Sequence, residues 1–334
     1  MSWKRILGHE DAIAQLRQAY VRGRLAHAYM FVGPEGIGKK LVAREVAKAL
    51  LCERPSEAFT ACDVCPACQQ LEAGTHPDFA IRGRLEDKLE LTLEVIRSLC
   101  HELGQKPLRG ARKITVLDDA DFFNEEAANS FLKNLEEPPQ GSLLILIATS
   151  TDRQLATILS RCQVVRFRAL SEDHLRAILL QYELADPALL TQILRMANGS
   201  ASLALAMNDP DLWELRLGIL RELAQTRPDS LTLGQKWIQY VEAAGKESVA
   251  QRERTALVLI VIVELLRSAL RHSFGSQELG NEEESRQLAV IGNLLGPQGI
   301  ADLLEVCITG FVNIDRRLQG VLLMEQVTDR LCLR

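Results

Sequence analysis

The sequence is short of the features that would send a chain to a membrane, through a secretion pathway or onto bare nucleic acid. Its opening, "MSWKRILGHED", has no apolar signal core. Its greasiest run, Ala256 to Leu266, is interrupted by Glu264 and flanked by Arg254 and Arg267, which makes it a buried helix rather than a span. Positive charge is not in excess: 39 Lys and Arg stand against 44 Asp and Glu, a net charge of -5. That balance excludes a chain that grips nucleic acid alone through a broad basic face, while leaving room for a small contact patch inside an assembly. There is no internal repeat and no low-complexity segment. With no secretion signal and with clustered cysteines, the expected location is a reducing cytoplasm, with thiols free to bind metal.

What is present is an ordinary globular composition, 47% hydrophobic and 25% charged over 334 residues, enough for two or three domains. Residues 10–23 carry a helical period, with Ile13, Leu16 and Tyr20 on one face and Gly23 at the stop. Buried strands are expected at Ala28 to Gly33, Lys113 to Asp118, Leu143 to Thr149 and Val164 to Phe167, with helices between them. The clearest helix follows Asn124, a capping residue, carries Glu125 and Glu126 at its positive end and stops at Pro138–Pro139. Alternating strands and helices predict a parallel α/β sheet covered on both faces. Beyond Phe167 only helical periods remain. Ser171 and Gly199 bracket a small helical unit, and a break at Asn208 to Asp211 precedes a bundle of about five helices. Gly275 to Ser285 is expected to be a mobile loop.

Between the first strand and the next helix, "GPEGIGKK" meets the phosphate-loop pattern at Gly33, Gly38 and Lys39, with Gly36 inside it. Backbone amides of such a loop and of the helix behind it make an anion site, and Lys39 would reach the outer phosphates. The last position should be a hydroxyl that holds magnesium, and it is Lys40. An ammonium about 4 Å from a divalent ion would be repelled by roughly 8 kcal/mol at an effective dielectric near 20. Either Lys40 swings away, leaving the metal a ligand short, or it replaces the metal as counter-charge. Binding of ATP or ADP survives both; efficient hydrolysis survives neither. The matching strand ends in Asp118, where magnesium is usually held, and Asp119, where a longer glutamate usually polarises water. One methylene of missing reach is costly in catalysis. A buried strand ending in a solvated acidic turn is the plain alternative.

Cys52, Cys62, Cys65 and Cys68 are spaced C-x9-C-x2-C-x2-C. Four thiolates suit a closed, structural tetrahedral zinc site. An iron–sulfur cluster is the rival, but the cysteine and following proline of a ferredoxin run are missing. A short segment with few hydrophobics folds around such an ion, so binding energy becomes folding energy. Cys100, Cys162, Cys307 and Cys332 are isolated and expected in the core.

"AHAYMFVGPEGIGKK", the four cysteines, "AGTHPDF", "DDADFFNEEAANSFLKNLEEPP" and "ILSRC" occur in this order. Over roughly residues 1 to 170 the chain resembles bacterial sliding-clamp loader subunits of the AAA+ class. The resemblance implies an AAA+ nucleotide-binding domain at 1–169 with a zinc module inserted at about 52–68, a helical lid at 170–208 and an all-α collar, or oligomerisation domain, at 209–334. That family has an ATP-hydrolysing motor, gamma/tau-like, and a delta-prime branch that hydrolyses little or nothing. Lys40 in place of Ser or Thr, Asp119 in place of Glu, and Ser202 where the motor's lid carries an arginine together imply the delta-prime branch, with the motor as the alternative. The resemblance further implies an arginine finger at Arg161, reaching a neighbour's ATP, and a polar sensor at Thr149 or Ser150. Implied partners are the gamma/tau-like ATPase subunits, a delta subunit, the sliding clamp and primed DNA, within a DNA-directed DNA polymerase III (nucleotidyltransferase) holoenzyme. Locally, Arg161 could equally pair with a nearby acid, and Thr149 could simply end a strand. Lys133 reads as a solvated lysine, although the resemblance would let it face DNA. His27 and His76 read as structural histidines.

Overall fold

The computed structural model of the chain describes residues 2–56, 58–85, 88–182, 187–245, 248–275, 282–315 and 320–333. The chain divides into two compact units, Met1–Leu205 and Ala206–Arg334.

The first unit runs α1 (Glu10–Val21), β1 (Ala28–Val32), α2 (Lys39–Leu51), α3 (Pro66–Glu72), β2 (Phe79–Arg82), α4 (Leu93–Gly104), β3 (Lys113–Leu117), α5 (Glu125–Glu136), β4 (Ser142–Ala148), α6 (Ala156–Leu159), β5 (Gln163–Arg166), α7 (Glu172–Leu179), α8 (Pro187–Ala197) and α9 (Ala201–Ala206). The five strands form one sheet in the order β2-β3-β4-β1-β5. Every pairing is parallel, with Met30 opposite Leu146 and Ile114 opposite Leu143. The central strands are almost continuously apolar because both faces of a parallel sheet are covered, and all five residues of β1 and of β3 are buried.

Four of these strands carry the pattern expected from sequence; β2 does not. Its residues are Phe-Ala-Ile-Arg, only Phe79 is buried, and it lies at the sheet edge, paired on one side to β3. A short edge strand has no two-sided apolar run to betray it, and its pairing is what defines it. On one face of the sheet, Met30, Val32, Leu117, Leu144 and Leu146 pack with Ile96, Leu99, Phe131 and Leu135 of α4 and α5. Burying a side chain of this size is worth roughly 1.5–3 kcal/mol. The expected cap is formed: Asn124 Oδ1 accepts from the Ala127 amide at 2.8 Å.

Asp78 anchors the edge. Its side chain is fully buried and accepts from the amides of Leu108, Arg109 and Gly110 at 2.6, 2.8 and 2.9 Å. Burial pushes its carboxyl up, but these three donors outweigh it and hold the pKa below the usual carboxylate value. His76 Nδ1 accepts from the Asp78 amide at 3.1 Å, and His27 Nε2 meets the Leu135 carbonyl at 3.0 Å, while the buried His76 Nε2 has no hydrogen-bond partner among the described residues.

The second unit holds α10 (Pro210–Leu223), α11 (Ser230–Glu242), α12 (Ser248–Ser273), α13 (Glu282–Asp315) and α14 (Gly320–Cys332). The greasy run lies in α12, where Val258, Leu259, Ile262, Leu265 and Leu266 are buried. Among the described residues one helix, Glu282–Ile314, is long and apolar enough to cross a membrane by length and composition alone. It opens with three glutamates, is kinked at Gly296 before Pro297, and packs against α12 and α14. Most of the loop expected at Gly275 to Ser285, residues 276–281, lies outside the described residues; Glu282 to Ser285 are helical, which corrects that end of the expectation. Of the isolated cysteines, Cys307 is buried and Cys100, Cys162 and Cys332 are half-buried.

Candidate phosphate loop and metal centre

The C-terminal ends of β1, β4 and β3 lie side by side, which is where open parallel sheets place ligand sites. β1 runs into the glycine loop. Gly36 (φ +72°) and Gly38 (φ +107°) take left-handed backbone that a side chain would resist. Gly38 caps α2. Lys39 is buried, and its ammonium turns back to donate to the carbonyls of Gly33 and Pro34, each at 2.5 Å. Burial pulls its pKa down, with Glu35, Asp118 and Asp121 pulling the other way.

Lys40 and Asp118 meet directly: Lys40 Nζ is ion-paired with Asp118 Oδ2. Of the two positions open to this lysine, the half-exposed side chain is turned onto Asp118 rather than away from it. Asp119 has left-handed backbone (φ 59°) and points Oδ2 toward the Arg84 amide at 3.4 Å. Burial, reinforced by Asp118, raises its pKa. Thr149 sits at the end of β4, where its amide donates to Asp121 Oδ2 at 2.6 Å. Ser150 Oγ accepts from the Asp152 amide, an ordinary turn cap.

Two further residues lie against the loop: His9, which carries no motif in the sequence, and Ser202, which the resemblance places in the lid. His9 Nε2 meets the Ile37 carbonyl at 2.7 Å, and the Ser202 amide donates to the Gly36 carbonyl at 3.0 Å. A Cβ on Gly36 would run into Ser200 Oγ and lie 2.9 Å from Ser202 Cβ. The start of α9 is thus packed onto the tip of the phosphate loop.

Arg161 is not brought to this cluster. It donates to Glu136 Oε1 at 2.6 Å, to the Thr157 carbonyl at 2.9 Å and to Ser160 Oγ at 3.2 Å, and its side chain is one-third exposed. Lys133 is exposed on α5.

The four cysteines do come together. Their sulfurs all lie within 4.8 Å of one another, with Cys52 and Cys65 3.9 Å apart. Four bonds of about 2.3 Å at tetrahedral angles place sulfurs about 3.8 Å apart, so the spacing fits one ion and is far too long for a disulfide. Amides already point at the sulfurs: Arg54 and Cys62 donate to Cys52 at 3.4 Å, Cys65 to Cys62 at 3.3 Å and Cys68 to Cys65 at 3.5 Å. Such donors favour thiolates. Those of Val64 and Cys65 bring the Cys62 thiol down to about 6, while burial pushes Cys52 and Cys68 up. The donor set and its spacing fit a metal ion.

Residues 8–171 match the family model described as DNA polymerase III, delta subunit. The chain is 28% identical to the DNA polymerase III subunit delta' of Escherichia coli over 294 residues, which cover 88% of this chain and 84% of that one. Over 141 residues it is 43% identical to the Pseudomonas aeruginosa delta' subunit, covering 42% and 43%. It is also 33% identical to the Escherichia coli tau subunit over 61% of this chain and 32% of that one. Among solved structures, a gamma subunit-related protein of Thermotoga maritima is similar at a TM-score of 0.42 and 17% identity, over 92% of this chain and 99% of that one. On these sequence relationships, the chain belongs to the delta-prime family of DNA polymerase III clamp-loader subunits.

Proposed function

We propose that the chain is a non-hydrolysing subunit of the replicative sliding-clamp loader, and that it lends Arg161 to the ATP held by a neighbouring gamma/tau-like subunit. The observation that carries this reading is the ion pair of Lys40 with Asp118. A cation fixed to the protein occupies the carboxylate, so a nucleotide bound here would lack its metal ligand. Asp119 faces the Arg84 amide, and Ser202 stands where the motor's lid carries an arginine. Three of the groups that hydrolysis needs are altered together. The loop of Gly33, Gly36, Gly38 and Lys39 retains a phosphate-binding backbone, so weak ATP or ADP binding remains open to it.

Arginine suits the finger role because it is always charged and forks onto phosphate oxygens. Glu136 and the Thr157 carbonyl hold the guanidinium at an exposed edge, pre-ordered before a neighbour arrives. We read residues 1–169 as the AAA+ domain, 170–208 as its lid and 209–334 as the collar. Four cysteines bind a structural zinc, and the delta subunit, the clamp and primed DNA are partners within a cytoplasmic complex.

The similarity to tau over 61% of the chain favours a second reading, an ATP-hydrolysing motor. Two measurements separate them. The isolated chain should release no phosphate from magnesium-ATP above background. Arg161→Ala should fold normally yet slow turnover in the reconstituted loader; trans arginines contribute ~10³–10⁵ in rate at the site they serve. Brisk turnover by the isolated chain would establish the motor, and full turnover of the Arg161→Ala loader at saturating clamp and DNA would remove the finger.

A further inference from the structure

Lys48 lies on α2, and its side chain is only 4% exposed. Its ammonium meets Asp63 Oδ1 at 2.8 Å, Glu72 Oε2 at 3.1 Å and Glu45 Oε1 at 3.3 Å. These partners are not scattered. Asp63 lies in the turn between Cys62 and Cys65, and Glu72 ends α3, the helix that carries Cys68. The Lys48 carbonyl accepts from the Cys52 amide at 3.0 Å. One residue therefore touches every segment that supplies a sulfur.

Asp63 also has left-handed backbone (φ 61°), a conformation that aspartate and asparagine adopt more readily than other residues with a side chain. Burial raises the pKa of the Cys68 thiol, and the Asp63 amide, facing that sulfur, partly offsets it. A neutral residue at Asp63 would leave the turn without its grip on α2.

We propose that Lys48 is a positioning residue for the metal centre, holding the three sulfur-bearing segments in register chiefly through Asp63. This rests on reading the four cysteines as a metal site. Partners that orient ligands typically contribute 10–100-fold in metal affinity. Removing the link should leave the four sulfurs able to bind and make their ion easier to lose.

The test uses the full chain loaded with Zn²⁺ or Co²⁺ and follows metal release to an excess of chelator. Asp63→Asn is the principal variant, since asparagine tolerates left-handed backbone and leaves Lys48 paired with Glu45 and Glu72. It should lose metal about tenfold faster than the wild type, as should Lys48→Met, with Lys48→Arg restoring most of the retention. Glu45→Gln changes a partner on the lysine's own helix and should release metal at the wild-type rate. At full loading, the cobalt–thiolate absorption of Asp63→Asn should match the wild type, because no ligand is lost. Release from Asp63→Asn no faster than from Glu45→Gln, with the wild type fully loaded, would overturn the positioning role alone. A wild-type chain that takes up no metal would overturn the metal reading, and this role with it.

Discussion

Lys40 and Asp118 are joined by an ion pair at the C-terminal edge of the sheet, beside the glycine loop. The lysine comes from the first turn of α2 and the aspartate from the end of β3, with β4 between β1 and β3 in the sheet. The contact holds a positive charge on the Asp118 carboxylate.

Replacing the lysine should free the carboxylate without restoring catalysis. Lys40→Ser supplies the missing hydroxyl and releases Asp118, so binding of ATP should become magnesium-dependent, as read by titration with and without chelator. Turnover should stay at background, because Asp119 remains short and turned toward the Arg84 amide. Magnesium-dependent phosphate release by this single variant would mean that Lys40 was the sole lesion.

The contact between the start of α9 and the glycine loop should be breakable at one atom. Gly36→Ala forces a side chain into left-handed backbone, at a cost of roughly 1–2 kcal/mol, and drives a methyl into Ser200 and Ser202. Native-state hydrogen exchange should show the Ser202 amide, bonded to the Gly36 carbonyl, opening roughly tenfold more often. An unchanged rate would mean that the start of α9 is held by other contacts.

Asp78 should set part of the acid limit of stability. Its folded pKa lies below its unfolded value, so the carboxylate stabilises the fold above the unfolded pKa and loses that effect as pH falls through the folded one. Asp78→Ala should cost about 3 kcal/mol near neutral pH, since three buried amides lose a charged acceptor. Denaturant melts of wild type and variant should converge as pH drops below the usual carboxylate range. A gap that persists at low pH would assign the loss to packing instead.

Metal removal should loosen one corner of the first unit. Trp3 Nε1 donates to the Phe59 carbonyl at 2.6 Å, and the Phe59 ring lies 4.6 Å from that of Tyr20, so the segment between Cys52 and Cys62 is packed against the N-terminus. Chelation should lower the melting temperature and change Trp3 emission, and Trp3→Phe should abolish the emission change. Identical melts before and after stripping would show that the segment from Cys52 to Cys68 folds without an ion.

Short-range chemistry was legible in the order of residues. The glycine spacing announced the loop, Asn124 announced its helix, and three cysteines at two-residue gaps announced a ligand set, because each of these is written within a turn or two of backbone. The same order could not reveal β2, whose four residues become a strand only by pairing with β3. Nor could it choose between the two positions open to Lys40, give Arg161 to Glu136, or hand three amides to Asp78. Those outcomes depend on groups that lie far apart along the chain and meet only once the parallel sheet has aligned the strand ends. By itself the sequence determined which chemical groups are available and in what local geometry. The tertiary structure decided which of them face one another, because ion pairs and buried hydrogen bonds act over a few ångströms of space, regardless of how many residues intervene.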